Sequence, residues 1–234
     1  MNEELDFVKE MFDKIAPKYD FLNRLLSMRQ DVFWRKEMVR AARLKKNAKV
    51  VDVACGTCDV GLEISSALDK EVQVTGLDFS LGMLNLSKAK LVKEKNTTID
   101  LVNGDALNLP LKNNDFDALF IAFGIRNIMN REKAIQEFHR TLKRGGRLVV
   151  LELSTPEQGI LRQIYLGYFK QVLPLIGSFF SKHSNAYSYL PASVLKFPSP
   201  VSFAGQMKTA GFTDVKFKQM SLGIVTLFVG TKPL

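Results

Sequence analysis

Over the first fifth of the chain, apolar residues recur at the three-to-four spacing of amphipathic helices, giving expected helices near 5–15, 18–27 and 31–43. From residue 48 the pattern changes. Short continuous apolar runs, the mark of strands buried on both faces, now alternate with helical periodicity. Strands are expected at 48–53, 71–77, 98–102, 116–122 and 147–153, with helices at 59–68, 81–94 and 130–142. Such alternation predicts a doubly wound sheet, and Gly145-Gly146 is expected to form the turn that launches the fifth strand. Residues 160–209 read as helical, with breaks at Pro174, Pro191, Pro198 and Pro200. Two alternating runs, 214–220 and 223–230, meet at Ser221-Leu222-Gly223. That link is too short for a parallel crossover, so the pair is expected to close the sheet antiparallel.

The first strand carries the most informative chemistry. Ala48-Lys49-Val50-Val51-Asp52-Val53 ends near an acid and runs into the small-residue turn Ala54-Cys55-Gly56-Thr57-Cys58, followed by Asp59 and a helix. Small residues there let a ligand approach the backbone closely at a helix N-terminus. A dinucleotide fingerprint would need glycines where Ala54 and Cys58 stand, which disfavours NAD or FAD. Asp78 closes the next apolar run, 26 residues after Asp52, where a carboxylate can accept both hydroxyls of a ribose. Asp105, one strand later, suits an adenine amine together with the Ala106 amide. A single such acid is as well explained by a turn or helix cap; three in register read as a site for S-adenosylmethionine. The expected fold is therefore a Rossmann-like class I methyltransferase, a seven-stranded, mostly parallel sheet with an antiparallel last strand. It forms one domain over 1–234: a helical cap (1–46), the cofactor-binding core (47–154), and substrate-side helices with the closing strands (155–234).

Length and charge narrow this further. The 234 residues, 46% hydrophobic and 24% charged, suffice for one α/β domain with a helical appendage. The net charge of +9 is uneven: Lys and Arg number 12 against 8 acids in 1–50, 13 against 14 in 51–154, and 8 against 2 in 155–234. No run of five or six basic residues appears, which speaks against nucleic acid; attraction to an anionic membrane surface fits the surplus better than scattered solvated lysines do. The longest apolar stretch, 164–180, is interrupted by Lys170, Gln171 and Pro174 and is too short to span a bilayer. It reads as a broken helix, either core packing or a lid over a greasy site. The acidic start, Met1 to Asp6, resembles neither a secretory signal nor a mitochondrial presequence, so the expected location is the bacterial cytoplasm, peripheral to the inner face of its membrane. Cys55 and Cys58 form a C-x-x-C at a helix start, which leaves a dithiol redox protein as a reading of another class, and a redox-sensitive cofactor loop as its milder form. With His139 and His183 distant from that pair, no metal ligand set is expected.

Beyond the cofactor motifs, the chain resembles the ubiquinone/menaquinone biosynthesis C-methyltransferase family over nearly its whole length. The matching segments include Met11-Phe12-Asp13-Lys14-Ile15-Ala16-Pro17-Lys18-Tyr19-Asp20, Trp34-Arg35, the loop from Asp52 to Asp59, Gly76-Leu77-Asp78-Phe79-Ser80 and Gly104-Asp105-Ala106. Narrower still are Phe123-Gly124-Ile125-Arg126-Asn127, Leu151-Glu152-Leu153-Ser154-Thr155-Pro156 and Tyr187-Ser188-Tyr189-Leu190-Pro191. The resemblance implies methyl transfer from S-adenosylmethionine to a ring carbon of a polyprenylated hydroquinone, demethylmenaquinol to menaquinol ahead of the benzoquinol of ubiquinone synthesis. It also implies cofactor contacts from Thr57, Asp78, Asp105 and Ala106, to which Asp52, Gly56 and Phe79 are added from the same motifs. A homodimer is left open. The chain departs from the family pattern at Cys58 and near Arg29, where glycine is usual, at Leu111, usually Phe, and at Arg144, usually Pro.

The chemistry asks the protein to favour a phenolate, because deprotonation of a ring hydroxyl makes the adjacent carbon nucleophilic. Arg126 is the expected oxyanion partner, Asn127 is expected to orient the other ring oxygen or a proton-accepting water, and Tyr19 with Asp20 to position substrate or transfer a proton. The competing reading of Arg126-Asn127 and of Glu152 is that they only tie down a loop.

Overall fold

Strand β1 (Ala48–Val53) splits its side chains between two cores, Val50 entering one and Val51 and Val53 the other, as a strand buried on both faces must. The structure, a computed structural model, describes residues 13, 19–96, 98–156, 159–167 and 185–234. Around β1 the chain builds α1 (Tyr19–Leu26), α2 (Gln30–Ala42), α3 (Asp59–Ala67), β2 (Val72–Asp78), α4 (Leu81–Lys93), β3 (Ile99–Asn103) and β4 (Phe116–Ala122). It continues through α5 (Arg131–Thr141), β5 (Leu142–Leu153), α6 (Ile160–Gly167), α7 (Asn185–Lys196), α8 (Pro200–Thr209), β6 (Thr213–Met220) and β7 (Val225–Thr231). The seven strands lie in the order β3-β2-β1-β4-β5-β7-β6. Only β7 runs against the rest: it pairs antiparallel with both β5 and β6, whereas all other ladders are parallel.

This is the architecture the pattern predicts, with most boundaries within a residue or two. Three local expectations change. Gly145-Gly146 does not precede the fifth strand; β5 starts at Leu142, and the pair lies in a register break between Phe116↔Leu142 and Ala118↔Arg147. A Cβ on Gly146 would sit 2.8 Å from the Lys143 carbonyl and 3.2 Å from that of Phe116, so the bulge needs a residue without one. Pro191 lies inside α7 rather than breaking it, and Pro200 occupies the first turn of α8, where its missing N–H costs nothing. The helix expected at 5–15, apart from the helical Asp13, and most of the apolar stretch 164–180 with Pro174 lie outside the described residues. Among the described residues no helix is long and apolar enough to cross a membrane.

Strand order reverses between β1, flanked on one side by β2 and β3, and β4, which leads to β5. At such a switch point the loops leaving adjacent strands diverge and open a crevice at the carboxyl ends of the strands. The acids of the sequence motif belong to those ends: β1 and β2 align Val53 with Leu77, and β2 and β3 align Asp78 with Asn103.

Candidate cofactor and substrate site

The crevice is lined by Gly56 and Ala54 from the loop after β1, Asp78 at the end of β2 with Phe79 beyond it, and Asp105, Ala106 and Leu107 after β3. Phe123, Gly124, Asn127, Ile128 and Met129 from the segment after β4 form its other wall. The loop after β1 turns sharply because Ala54, Gly56 and Cys58 all adopt left-handed backbone angles, φ 53°, 56° and 67°. It meets the β4 loop closely: a Cβ on Gly124 would lie 2.8 Å from that of Ala54.

Asp78 organises this end of the sheet. Its Oδ2 accepts the Gly56 N–H at 2.8 Å and its Oδ1 the Ser80 N–H at 2.9 Å, while its own carbonyl accepts from the Asn103 side chain. Burial raises its pKa, opposed by the N–H groups of Ser80, Gly56 and Phe79. With three N–H partners, the carboxylate keeps at least one acceptor site unused. Ser87 holds the opposite side of Gly56, donating to its carbonyl at 2.6 Å. Asp105 is exposed and accepts the Leu107 N–H at 2.9 Å, a local turn that presents the Ala106 backbone to the crevice.

Other expected residues stand outside the lining. Asp52 is buried beneath the loop, accepts the Gly61 N–H and leaves Oδ2 without a partner among the described residues. Burial is the main reason its pKa is pushed up to about 8, so it is largely protonated at neutral pH. It supports the loop and first turn of α3 from below. The buried Thr57 donates its hydroxyl to Asp20 of α1 at 2.5 Å. Tyr19 opens α1 immediately before Asp20.

Arg126 lies in the single 3₁₀ turn Ile125–Asn127 after β4. Its Nη1 donates to Glu152 Oε1 at 2.8 Å and to the Phe123 carbonyl, and its own N–H reaches Glu152 Oε2 at 3.1 Å. Glu152, fully buried at the end of β5, also accepts the Leu153 N–H at 2.8 Å. The guanidinium is thus neutralised against the sheet, and it is Asn127 that reaches the crevice. The Tyr189 hydroxyl of α7 donates to Asn127 Oδ1 at 3.2 Å, which leaves the amide N–H₂ free to serve as a donor. Tyr189 was not among the residues expected at the site, and its spacing of 62 residues from Asn127 carries no local signal.

The cysteines do not form a reactive dithiol. Cys55 and Cys58 are free and buried, both sulfurs facing the backbone of Gly76, where a Cβ would lie 3.2 and 3.3 Å from them. The Cys58 thiol and burial together push the Cys55 pKa well above the usual thiol range, so the attacking thiolate is suppressed. Cys58 packs among Val74, Ile99 and Ile64 and does not intrude on the crevice. Among the described residues no cluster of three metal-binding side chains occurs.

The comparisons agree with this geometry. The ubiE/COQ5 methyltransferase family matches residues 1–232. A ubiquinone/menaquinone biosynthesis C-methyltransferase UbiE of Geotalea daltonii is 42% identical over 233 residues, 99% of both chains. A demethylmenaquinone methyltransferase of Staphylococcus epidermidis is 40% identical over 225 residues, 96% of this chain and 92% of that one. Among solved structures, a SAM-dependent methyltransferase of Thermotoga maritima superposes with a TM-score of 0.65 at 20% identity, covering 95% of this chain and 98% of the other, a likeness of fold.

Proposed function

The chain belongs to the ubiE/COQ5 methyltransferase family and is an S-adenosylmethionine-dependent C-methyltransferase of quinone biosynthesis; on that premise we propose that it methylates demethylmenaquinol to menaquinol. The observation that carries the reading is the two-sided crevice. One side offers the polar cradle of Gly56, Asp78, Asp105 and Ala106; the other is an apolar wall of Phe123, Ile128 and Met129 interrupted by the Asn127 amide. An adenosine fits the first and an aromatic ring with two oxygens fits the second.

The residues present suit the cofactor. Asp78, which lines the crevice, would take the ribose hydroxyls; Asp105 and the Ala106 N–H would take the adenine edge; Phe79 would pack beside it. Thr57 and Asp52 shape the loop that holds the amino-acid end. S-adenosylmethionine supplies an electrophilic methyl group on a sulfonium. The protein's part is to hold the quinol ring against it and to stabilise charge on the ring oxygen. Asn127, oriented by Tyr189, donates to that oxygen. Arg126 and Glu152 hold the turn that presents Asn127, so Arg126 acts on the chemistry chiefly through position. Tyr19, at the start of the helix that reaches Thr57, keeps a substrate-positioning role.

A membrane surface is the natural source of a polyprenylated substrate. Phe21, Leu25, Met28 and Phe33 are 57, 43, 83 and 50% exposed on the N-terminal helices, with Arg29, Lys36 and Arg40 also exposed there. That combination suits peripheral contact with anionic lipid. The test of substrate is to incubate the protein with labelled S-adenosylmethionine and either demethylmenaquinol or the demethylated benzoquinol. Label in the naphthoquinol is expected; label confined to the benzoquinol overturns the assignment within the family.

A further inference from the structure

Helix α1 is held to the body of the protein in an unusual way. Among the described residues, the neighbouring α2 is anchored by the buried apolar side chains Trp34, Met38, Val39 and Ala42, whereas α1 buries Leu22 and packs the partly buried Leu26 against Tyr165 and Val194. Charged side chains add to these attachments. Asp20 accepts from Lys90 Nζ at 2.7 Å and from the Thr57 hydroxyl, and Arg24 reaches Asp59 at 2.9 Å and also pairs with Asp31. Lys90 also bonds Asp59, the first residue of α3, so one ammonium ties together α1, the end of the cofactor loop and its own helix α4. Arg35 completes the network, 2.6 Å from Asp31 and 3.1 Å from Asp59. Three carboxylates meet three cations, and all six side chains are at least partly buried.

We propose that Lys90, through Asp20 and Asp59, is a charge latch that closes α1 against the cofactor loop and sets the rate of cofactor exchange. The inference rests on the crevice beside Gly56 being the S-adenosylmethionine site. The ionic part of this attachment separates at modest cost, because each charge is rehydrated as the pair opens. The charges are real at neutral pH: Asp59 is partly buried, yet Arg35, Lys90 and Arg24 hold its pKa down, and Asp59 and Asp20 raise that of Lys90 against its burial. Lys90 reaches the cofactor only through Thr57 and the loop, which makes it a positioning residue.

The proposal separates from a direct binding role by kinetics. A latch that touches the protein but not the ligand limits entry and escape alike, so weakening it speeds both. Stopped-flow measurements with S-adenosylhomocysteine compare wild type, Lys90→Met and Lys90→Arg. In Lys90→Met, association and dissociation are both expected to accelerate by roughly tenfold, with Kd within about twofold of wild type, and Lys90→Arg to restore most of the lost closure. Hydrogen exchange is expected to quicken in α1 and to stay unchanged in α3. Unaltered rates, or faster dissociation alone with weaker binding, would overturn the latch. If Lys90→Met does not fold, Asp20→Asn, which spares the Lys90 to Asp59 pair, is read by the same criteria. A wild-type protein that fails to bind S-adenosylhomocysteine would instead refute the reading of the crevice.

Discussion

Arg126 and Glu152 allow the sharpest test of how the site is held. Glu152 is fully buried, the Arg126 side chain is 8% exposed, and their oxygens and nitrogens meet at 2.8 Å. Replacing Arg126 by Met leaves a buried carboxylate uncompensated, a change that costs about 3–5 kcal/mol. For a chain of this size each kcal/mol lowers Tm by about 2–4 °C, so a drop of about 6–20 °C is expected. The double variant Arg126→Met/Glu152→Gln removes both charges, while the Gln carbonyl can still accept the N–H groups of Arg126 and Leu153 that Glu152 now satisfies. It is expected to recover at least about 2 kcal/mol of that loss, because replacing a whole buried pair is far cheaper than breaking it. Thermal and urea unfolding of the two variants and wild type measure this coupling. A cost below about 1 kcal/mol for Arg126→Met, or a double variant no more stable than the single, would refute a tightly coupled pair. The same proteins report on chemistry: a folded double variant with normal kcat would show that Asn127 needs neither charge.

Further outcomes follow from the geometry. Asp78→Ala is expected to abolish calorimetric binding of S-adenosylmethionine in a folded protein, since it removes the acceptor for Gly56 and Ser80 together with the proposed ribose contacts, each worth roughly 1.5–3 kcal/mol. Tyr189→Phe should lower kcat several-fold through loss of roughly 1 kcal/mol at Asn127, with cofactor Kd unchanged; an equal loss of cofactor affinity would place Tyr189 elsewhere in the mechanism. Asp52 has a folded pKa of about 8, raised from 3.8, so the unfolded chain holds fewer protons between those values. Stability should therefore fall as pH rises from about 4 to 8, by an amount on the order of a few kcal/mol, and Asp52→Asn should flatten that slope in urea titrations. Arg29 is exposed with φ 62°, so Arg29→Gly should stabilise the protein by about 1 kcal/mol, whereas thiol labelling of the native wild type should be slow at both buried cysteines until urea unfolds it.

Two departures from the family pattern acquire a physical meaning only in three dimensions. Cys58, where the family resemblance implies glycine, and Arg29, near another such position, both occupy left-handed backbone positions, and the chain tolerates them differently. The Arg29 side chain extends into solvent, while Cys58 offsets its strain by filling a buried space above Gly61. The Cys58 side chain points into the sheet, beside Gly61 and Gly76. A strand pattern says which faces are buried, and a turn residue belongs to neither face.

The sequence by itself determined the parallel sheet, the antiparallel β7 and the ends of β1 to β3 where Asp78 and Asp105 stand. Those follow from local periodicity and from link lengths, which act within a few residues of each position. The tertiary structure decided which polar groups meet: Tyr189 with Asn127, Arg126 with Glu152, and Lys90 with both Asp20 and Asp59. Hydrogen bonds and ion pairs act over about 3 Å, and residues dozens of positions apart come within that range only once strand order, loop curvature and helix docking have been fixed together.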